Sequence, residues 1–349
     1  MLSFNRKNKF KRLQNTLMLA FFTLSVVPAT IIAILFLKAH SQDLQEQSTS
    51  HLISMRDNKK QQIIDYLNAK ESEVLGFVRS ELAYSSGGRF YGIVNAFKSL
   101  GLDMKQAREY AQKRYIQDSD NQIKTSVLPH SSTYNGTERY RLLHKRYHRA
   151  FLEVLKRSDF DDILLVDLEG NVTYSIYKRN YYGTNLNQGP FSTTNLGQAF
   201  SELQSRVNKK RETHHEYTPV VISDFSKRDG HMIAWMGAPI IQQGYLHSYA
   251  LFRLPSEGLT HLLANKSLSS INTILVGQDH HSRTLTNGDK EIGNSLDIIN
   301  QALSGSESVE KYTNKKAQTM LAAYGPIAFR NIHWGIVVEV PEQIAFARI

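Results

Sequence analysis

The chain has 349 residues, 41% of them hydrophobic, with 42 Lys and Arg against 32 Asp and Glu and no cysteine. That apolar content supports ordinary cores and excludes wholesale disorder; the missing cysteine excludes disulfides and thiolate metal ligands. Five of the bases (Arg6, Lys7, Lys9, Lys11 and Arg12) crowd the first dozen residues, which leaves 37 against 32 acids, a mildly basic body rather than a surface built to hold nucleic acid.

Residues 1–15 read as a basic tail. The run "TLMLAFFTLSVVPATIIAILFL", Thr16 to Leu37, carries no charge and is long enough to cross a hydrocarbon core of roughly 30 Å as a helix. Pro28 is tolerated within such a helix. A cleaved signal peptide would carry a shorter apolar run ending at a small-x-small site, and "LKAHSQ" is a poor one. The basic cluster before the span places the N-terminus in the cytoplasm and residues from about 38 onward outside a bacterial inner membrane, in a single pass.

From 41 to 84 the apolar residues Leu44, Leu52, Met55, Ile63, Leu67, Val74 and Val78 recur at helical steps with no Gly or Pro before Gly76, which predicts one long amphipathic helix closed by "SSGG" at 85–88. Residues 89–158 are expected to be mainly helical. They end in "ERYRLLHKRYHRAFLEVLKRS", whose stripe Leu142, Leu143, Tyr147, Phe151 and Leu155 would be core and whose basic face, Arg139 to Arg149, would be solvated. After Asp161 the period changes. "ILLVD", "NVTYSIYK", "HMIAWMGAPII" and "YLHSYALFRL" read as strands, with "DLEGN" a hairpin turn and "TTNLGQAFSELQSRVNKK" a helix among them. "PSEGLTHLLANK" connects to a smaller set: strands "INTILVGQD", "AQTMLAAYGPIA" and "HWGIVVEV", with helix "LDIINQALSG". The expected class is α+β, two tandem antiparallel sheets with helices on one face of each, spanning 85–255 and 256–349.

The stretch "DFDDILLVDLEGNVTYSIYKRNYYGTNLNQGPF", with "ISDF" at 222–225, "WMGAPI" at 235–240, "ILVGQDHHSRT" at 274–284, "AAYGPI" and "HWGIVVEVPEQIAFA", resembles the double Cache sensor domains of bacterial chemoreceptors, sensor histidine kinases and diguanylate cyclases. The resemblance implies a spine helix that pairs in a homodimer and a membrane-distal PAS-like module that holds a small ligand. A smaller proximal module, a second membrane helix and a cytoplasmic output domain are also implied. The sequence ends at Ile349, before that second helix, so the output half is expected to be absent from this chain.

No Cys nucleophile, phosphate loop, G-x-S-x-G elbow or H-E-x-x-H occurs, so no enzymatic activity, cofactor or metal is expected. The pairs His214–His215 and His280–His281 read as surface residues, and Asp161–Asp162 and Asp167–Glu169 as solvated caps. A binding pocket fits the sequence better. On "TYSIYK", Thr173, Ser175 and Tyr177 share one strand face; on "AWMGAP", Trp235 and Gly237 oppose the small apolar face of Ala234, Met236 and Ala238, the one expected to meet helices. The expected ligand residues are Tyr177, Asn180, Tyr182, Asp224 and Trp235, with Arg253. Asp224 would pair with an amine, and Arg253 or Arg179 with a carboxylate. The reading is a membrane-anchored sensor of an amino acid, amine, carboxylate or similar solute, serving chemotaxis. The alternatives are the sensor half of a histidine kinase or diguanylate cyclase, and a membrane-tethered hydrolase.

Overall fold

The computed structural model describes residues 4–88, 91–117, 135–213, 218–228, 230–264, 271–284 and 296–347. His214–His215 and residues 118–134 lie outside them. Helix α1 runs unbroken over Phe4–Val78, 75 residues, about 110 Å at 1.5 Å per residue. Its most apolar window has mean hydropathy 2.4 and buries nothing within the protein. Thr23, Ser25 and Thr30 turn their hydroxyls back onto the carbonyls of Leu19, Phe21 and Val26 at 2.8–2.9 Å, which satisfies them without water. Beyond the apolar run the helix has one buried stripe: Ser48, Leu52, Arg56, Ile63, Leu67, Val74 and Val78. The helix stops at Val78, earlier than "SSGG". Ser80 accepts from the Ala83 amide and caps a separate short helix, α2 (Glu81–Gly87), because a serine hydroxyl competes well for the first free amides of a new turn.

Short helices α3 (Ile93–Ala96) and α4 (Met104–Gln112) lead to α5 (Asn135–Leu155). The buried stripe of α5 differs from the apolar one expected. Leu142 is 53% exposed, and the inward positions are Tyr140, His144, Tyr147, His148, Phe151 and Leu155. Two histidines thus sit where aliphatic residues would be the ordinary choice. Arg139, Lys145, Arg146 and Arg149 are exposed.

The distal sheet contains β1 (Asp162–Val166), β2 (Val172–Ser175), β3 (Val221–Ile222), β4 (Ser226–Arg228), β5 (His231–Gln242) and β6 (Tyr245–Pro255), with α6 (Asn195–Thr213) between β2 and β3. Its order is β2-β1-β6-β5-β3, with β4 also on β5, all pairs antiparallel. β5 and β6 join through Gln243 and Gly244, both at positive φ, the two-residue turn that matches strand twist. Helices cover both faces, not one. Ile163, Leu165, Tyr174, Met236 and Phe252 join the core shared with α1 and α5; Leu164, Val166, Trp235, Tyr249 and Leu251 pack with Phe200 and Leu203 of α6. Both alternating sets are apolar, so each face demands its own cover. Gly237 lies under α6, where a Cβ would meet Leu251 Cδ2 at 2.4 Å.

Helix α7 (Glu257–Leu263) leads to the proximal sheet, order β7-β10-β9-β8, from β7 (Asn272–Gly277), β8 (Ser308–Thr313), β9 (Thr319–Phe329) and β10 (Ile332–Pro341). α8 (Leu296–Leu303) covers one face through Ile298, Ile299 and Ala302, and α1 lies on the other. β8, "SVEKYT", escapes the sequence reading because it is a charged, half-exposed edge strand, as edge strands commonly are. Helix α9 (Glu342–Ala347) closes the described chain, its Ala345 carbonyl accepting from Ser48 Oγ at 3.0 Å.

α1 therefore bears on both sheets. Phe77 packs edge-on to Phe252 of the distal sheet at 5.2 Å, and Arg56 Nη1 donates to the Tyr324 carbonyl of the proximal sheet at 2.7 Å.

Candidate ligand-binding site

The β1–β2 turn forms as "DLEGN" suggests. Gly170 takes φ 93, and Asp167 Oδ1 accepts from the amides of Glu169 and Asn171 at 3.1 and 2.7 Å. Burial pushes the Asp167 carboxyl up to about 6 against these bonds. The register then slips at Leu165/Val166, leaving Thr173 unpaired as a bulge, and β2 ends at Ser175. Its end has a definite cause: Asp162 Oδ1 takes the Ile176 amide at 2.9 Å, and Lys178 turns to φ 50. The chain loops out and returns alongside β2, with Val172 N on Thr184 O at 2.9 Å and Leu186 N on Gly170 O at 2.8 Å.

This loop brings Arg179 and Tyr181 to the aspartates at the start of β1. Asp162, opposite Arg253 in the register, is fully buried. Its Oδ2 accepts from Ser175 Oγ at 2.9 Å and from the Tyr181 hydroxyl. Next to it Asp161 Oδ2 accepts from Arg253 Nη1 and from Arg179 Nη2, the latter at 3.2 Å. Trp235, opposite Arg253 on the other side, meets Tyr181 edge-on at 5.3 Å, and Tyr181 meets Phe191 at 6.0 Å. Burial raises both carboxyls above the usual range, opposed at Asp161 by Arg253 and Arg179 and at Asp162 by the Tyr181 and Ser175 hydrogen bonds. Two arginines, two aspartates and an aromatic wall thus form one cluster at the start of β1. Within it Asp161 Oδ1 and Arg179 Nε are buried with no hydrogen-bond partner.

Of the six residues expected from sequence, the fold brings Trp235 and Arg253 together here. Tyr177 is half-buried on the other core, its ring 5.8 Å from the Arg179 guanidinium; once β2 stops at Ser175, strand alternation no longer places it. Asn180 is exposed, and its carbonyl accepts from Gln112 Nε2 at 3.3 Å. Tyr182 is fully buried on the α5 side, donating to the Tyr140 hydroxyl at 2.9 Å. Asp224 is elsewhere altogether: Arg283 Nε and Nη2 donate to it at 2.9 and 2.6 Å, and Trp334 Nε1 at 2.8 Å. Its carboxylate ties the distal sheet to the proximal one, away from the Asp161–Asp162 cluster.

Asp161, Asp162, Ser175, Arg179 and Tyr181 complete the cluster. The two aspartates are not solvated caps, and the register that sets Asp162 opposite Arg253 is the signal that finds them. His280 and His281 occupy the turn after β7 rather than a strand, His280 Nε2 meeting Asn300 Oδ1 at 2.7 Å. No group of three or more metal-ligating side chains occurs among the described residues.

No family model and no curated protein matches the chain. Among solved structures, the chain is similar to the sensory domain of the Campylobacter jejuni chemoreceptor Tlp3, with 13% identity, TM-score 0.49, 87% of this chain and 97% of that one covered. It is also similar to the ligand-binding domain of the Pseudomonas fluorescens chemoreceptor CtaA in complex with L-isoleucine (11%, 0.45, 89% and 99%). A third is the extracellular domain of a protein described as a histidine kinase, soHK1S-Z6 (11%, 0.49, 89% and 100%).

Proposed function

We propose that this chain is an extracytoplasmic sensor, anchored by residues 16–37, that binds a small zwitterion of the amino-acid class between the distal sheet and α6. The observation that carries the reading is two buried atoms with no hydrogen-bond partner in one cluster, the acceptor Asp161 Oδ1 and the donor Arg179 Nε, the latter 4.0 Å from Asp162 Oδ2. Buried polar atoms are rarely left without partners, and these two fit an ammonium and a carboxylate. Tyr181, Trp235 and Phe191 would wall the aliphatic part. L-isoleucine, named with the Pseudomonas fluorescens domain, is a solute of this class.

Signal transduction to a chemoreceptor output is the function proposed, with a histidine kinase or cyclase output the alternative. Binding rather than catalysis is the role proposed for the cluster, and 85–255 and 256–349 are proposed as the two modules. Ligand binding would act by favouring one of two arrangements of the sheet on α1. A homodimer along α1 belongs to the same proposal. The outward face over 51–68 carries His51, Asp57, Gln61, Asp65 and Asn68, so such a pairing would be polar and salt-sensitive.

Calorimetry on the full chain in nanodiscs tests the site. Saturable binding of an L-amino acid is expected, at least about tenfold weaker for the matching amine or carboxylate alone, equal to about 1.4 kcal/mol. Arg179→Gln should weaken the carboxylate arm and Asp161→Asn the ammonium arm. Amino-acid binding indifferent to both substitutions removes the assignment.

A further inference from the structure

The core between α5 and the distal sheet hides two basic groups that the zwitterion cluster does not use. His144 on α5 is fully buried, and neither ring nitrogen has a hydrogen-bond partner. Lys178 is equally buried, and its ammonium reaches the Ile176 carbonyl at 3.5 Å, a weak bond for a buried charge. Tyr140 and His148 from α5, Tyr174 from β2 and Lys178 from the loop face the His144 ring. The groups whose charges act on it are basic, Lys178 and then His148.

The place of Lys178 in the chain gives the pair a consequence. It stands between the end of β2 and Arg179, at φ 50, a backbone conformation that a residue with a Cβ rarely takes. Its amide donates to Ser175 Oγ at 2.8 Å, and Ser175 donates in turn to Asp162. The residues that follow, Arg179 and Tyr181, bond Asp161 and Asp162. Lys178 thus has its backbone on the aspartate cluster and its charge acting on an imidazole of α5. We infer that His144 is an acid-sensitive latch on the ligand loop: the closed loop requires a neutral imidazole, and protonation of His144 drives Lys178 and the loop outward. Like charges repel strongly where water is excluded. His144 cannot withdraw without unpacking Tyr140, Tyr147 and Phe151 of its own helix, whereas Lys178 sits on a loop in a strained conformation. Opening returns His144 to water and to an ordinary value of about 6.5, so falling pH favours the open arrangement, about tenfold between pH 7.5 and 5.5. The consequence for sensing rests on the zwitterion reading: opening withdraws Arg179 and Tyr181 from the cluster, and amino-acid affinity falls with pH.

Amide exchange on the full chain in nanodiscs at pH 7.5 and 5.5, corrected for intrinsic rates, tests the latch without a ligand. Protection at the Ile176, Lys178 and Gly183 amides, each bonded in the closed loop, should fall about tenfold in the parent and much less in His144→Phe. Asp161 and Asp162 are present in both chains, so the difference isolates His144. Lys178→Met, which removes one of the opposed charges, should lie between the two. Calorimetry with L-isoleucine should show an affinity loss on acidification that is smaller in His144→Phe. Equal acid sensitivity of the loop in the parent and both variants overturns the inference. So does opening over 140–155 in place of 176–184, because His144 then escapes with its helix. If no amino acid binds at all, the zwitterion reading has failed, and the exchange experiment still decides this one.

Discussion

Each sheet opens with the same device, a strand, a tight turn and a returning segment, and the two end differently. In the distal sheet the return is a four-residue strand, β2, followed by a loop that folds Arg179 and Tyr181 back onto the aspartates at the start of β1. In the proximal sheet the turn after β7 has His280 at φ 60, and the described return is a single bridge, Val276 to Ser282. The next residue, Arg283, keeps its amide on the Leu275 carbonyl at 2.8 Å and extends its guanidinium to Asp224 at 2.6 Å. One hairpin closes a polar pocket on itself; the other spends its charge on the joint between sheets. A buried charge needs a partner, and where the partner sits decides whether the hairpin builds a site or a connection.

Two substitutions break this contrast from opposite ends. Asp162→Ala should have the largest effect, a loss of about 3–5 kcal/mol, because it strands two backbone amides and two hydroxyls that have no water to turn to. The loss should be confined to the distal sheet, read as collapse of amide-exchange protection over 162–175 and 245–255 with 319–341 less affected. Arg283→Met comes next, at about 2–4 kcal/mol, lowered from the fully buried case because the Asp224 side chain is 38% exposed and water screens it. Here exchange should rise on both sides of the joint, at Asp224 and Phe225 and at the Trp334 indole. Gly277→Ala should reproduce it without touching a charge, since the added methyl occupies the guanidinium's place. If Gly277→Ala is silent, Arg283 has another resting place and the joint is not fixed by this contact.

How far the sequence reaches is visible in the same residues. The alternation of "HMIAWMGAPII" and "YLHSYALFRL" gives both strands, and with them Trp235 and Arg253 in one place. Period alone fails at β2, because its end depends on a carboxylate thirteen residues earlier capturing the Ile176 amide. Ile176 still shares the core of Tyr174, but Tyr177 lies against that same core instead of the opposite face. Tyr182 and Asp224 are placed apart from the cluster for a related reason: an aromatic or an acid in a strand-loop motif looks the same whether its partner is a ligand, Tyr140 or an arginine in the next sheet. Long-range partners of single polar side chains are set by tertiary placement, which no local pattern carries. Helix α5 makes the point in part: Tyr147, Phe151 and Leu155 are buried as their spacing predicts, while Leu142 is exposed and His144 takes an inward position.

The buried polar groups of the turn and of α5 give the smaller effects. Asp167→Ala should cost about 1–2 kcal/mol by freeing the turn amides, checked by urea unfolding and by lost protection at Glu169 and Asn171. His144 is subtler. Its ring is fully buried with both nitrogens unpartnered, and burial, then the charges of Lys178 and His148, hold it well below the usual histidine range. Tyr140 and His148 from α5, Tyr174 from β2 and Lys178 beyond it face the ring. A depressed pKa in the folded state means that the unfolded chain takes up the proton first as pH falls. Stability is therefore lost below about 6.5, at up to about 1.4 kcal/mol per pH unit. Asp167 works the other way, because its carboxyl, raised to about 6, binds a proton more tightly when folded and gains stability over the same interval. Lys178, lowered to about 8 by burial, stays protonated in both states below pH 7 and contributes no slope. Asp161 and Asp162, also raised by burial, act in the same sense as Asp167, so His144 and the buried carboxyls pull the acid response of the whole chain in opposite directions. Comparing urea unfolding at pH 7.5 and 5.5 for the chain and for His144→Phe separates them. The variant should match the parent within about 1 kcal/mol at pH 7.5, since an aromatic of similar size fills the site, and should gain on it by about 1 kcal/mol at pH 5.5. Equal pH dependence in the two would mean that the His144 ring finds a partner, and that the α5 face of the sheet is as well satisfied as the α6 face.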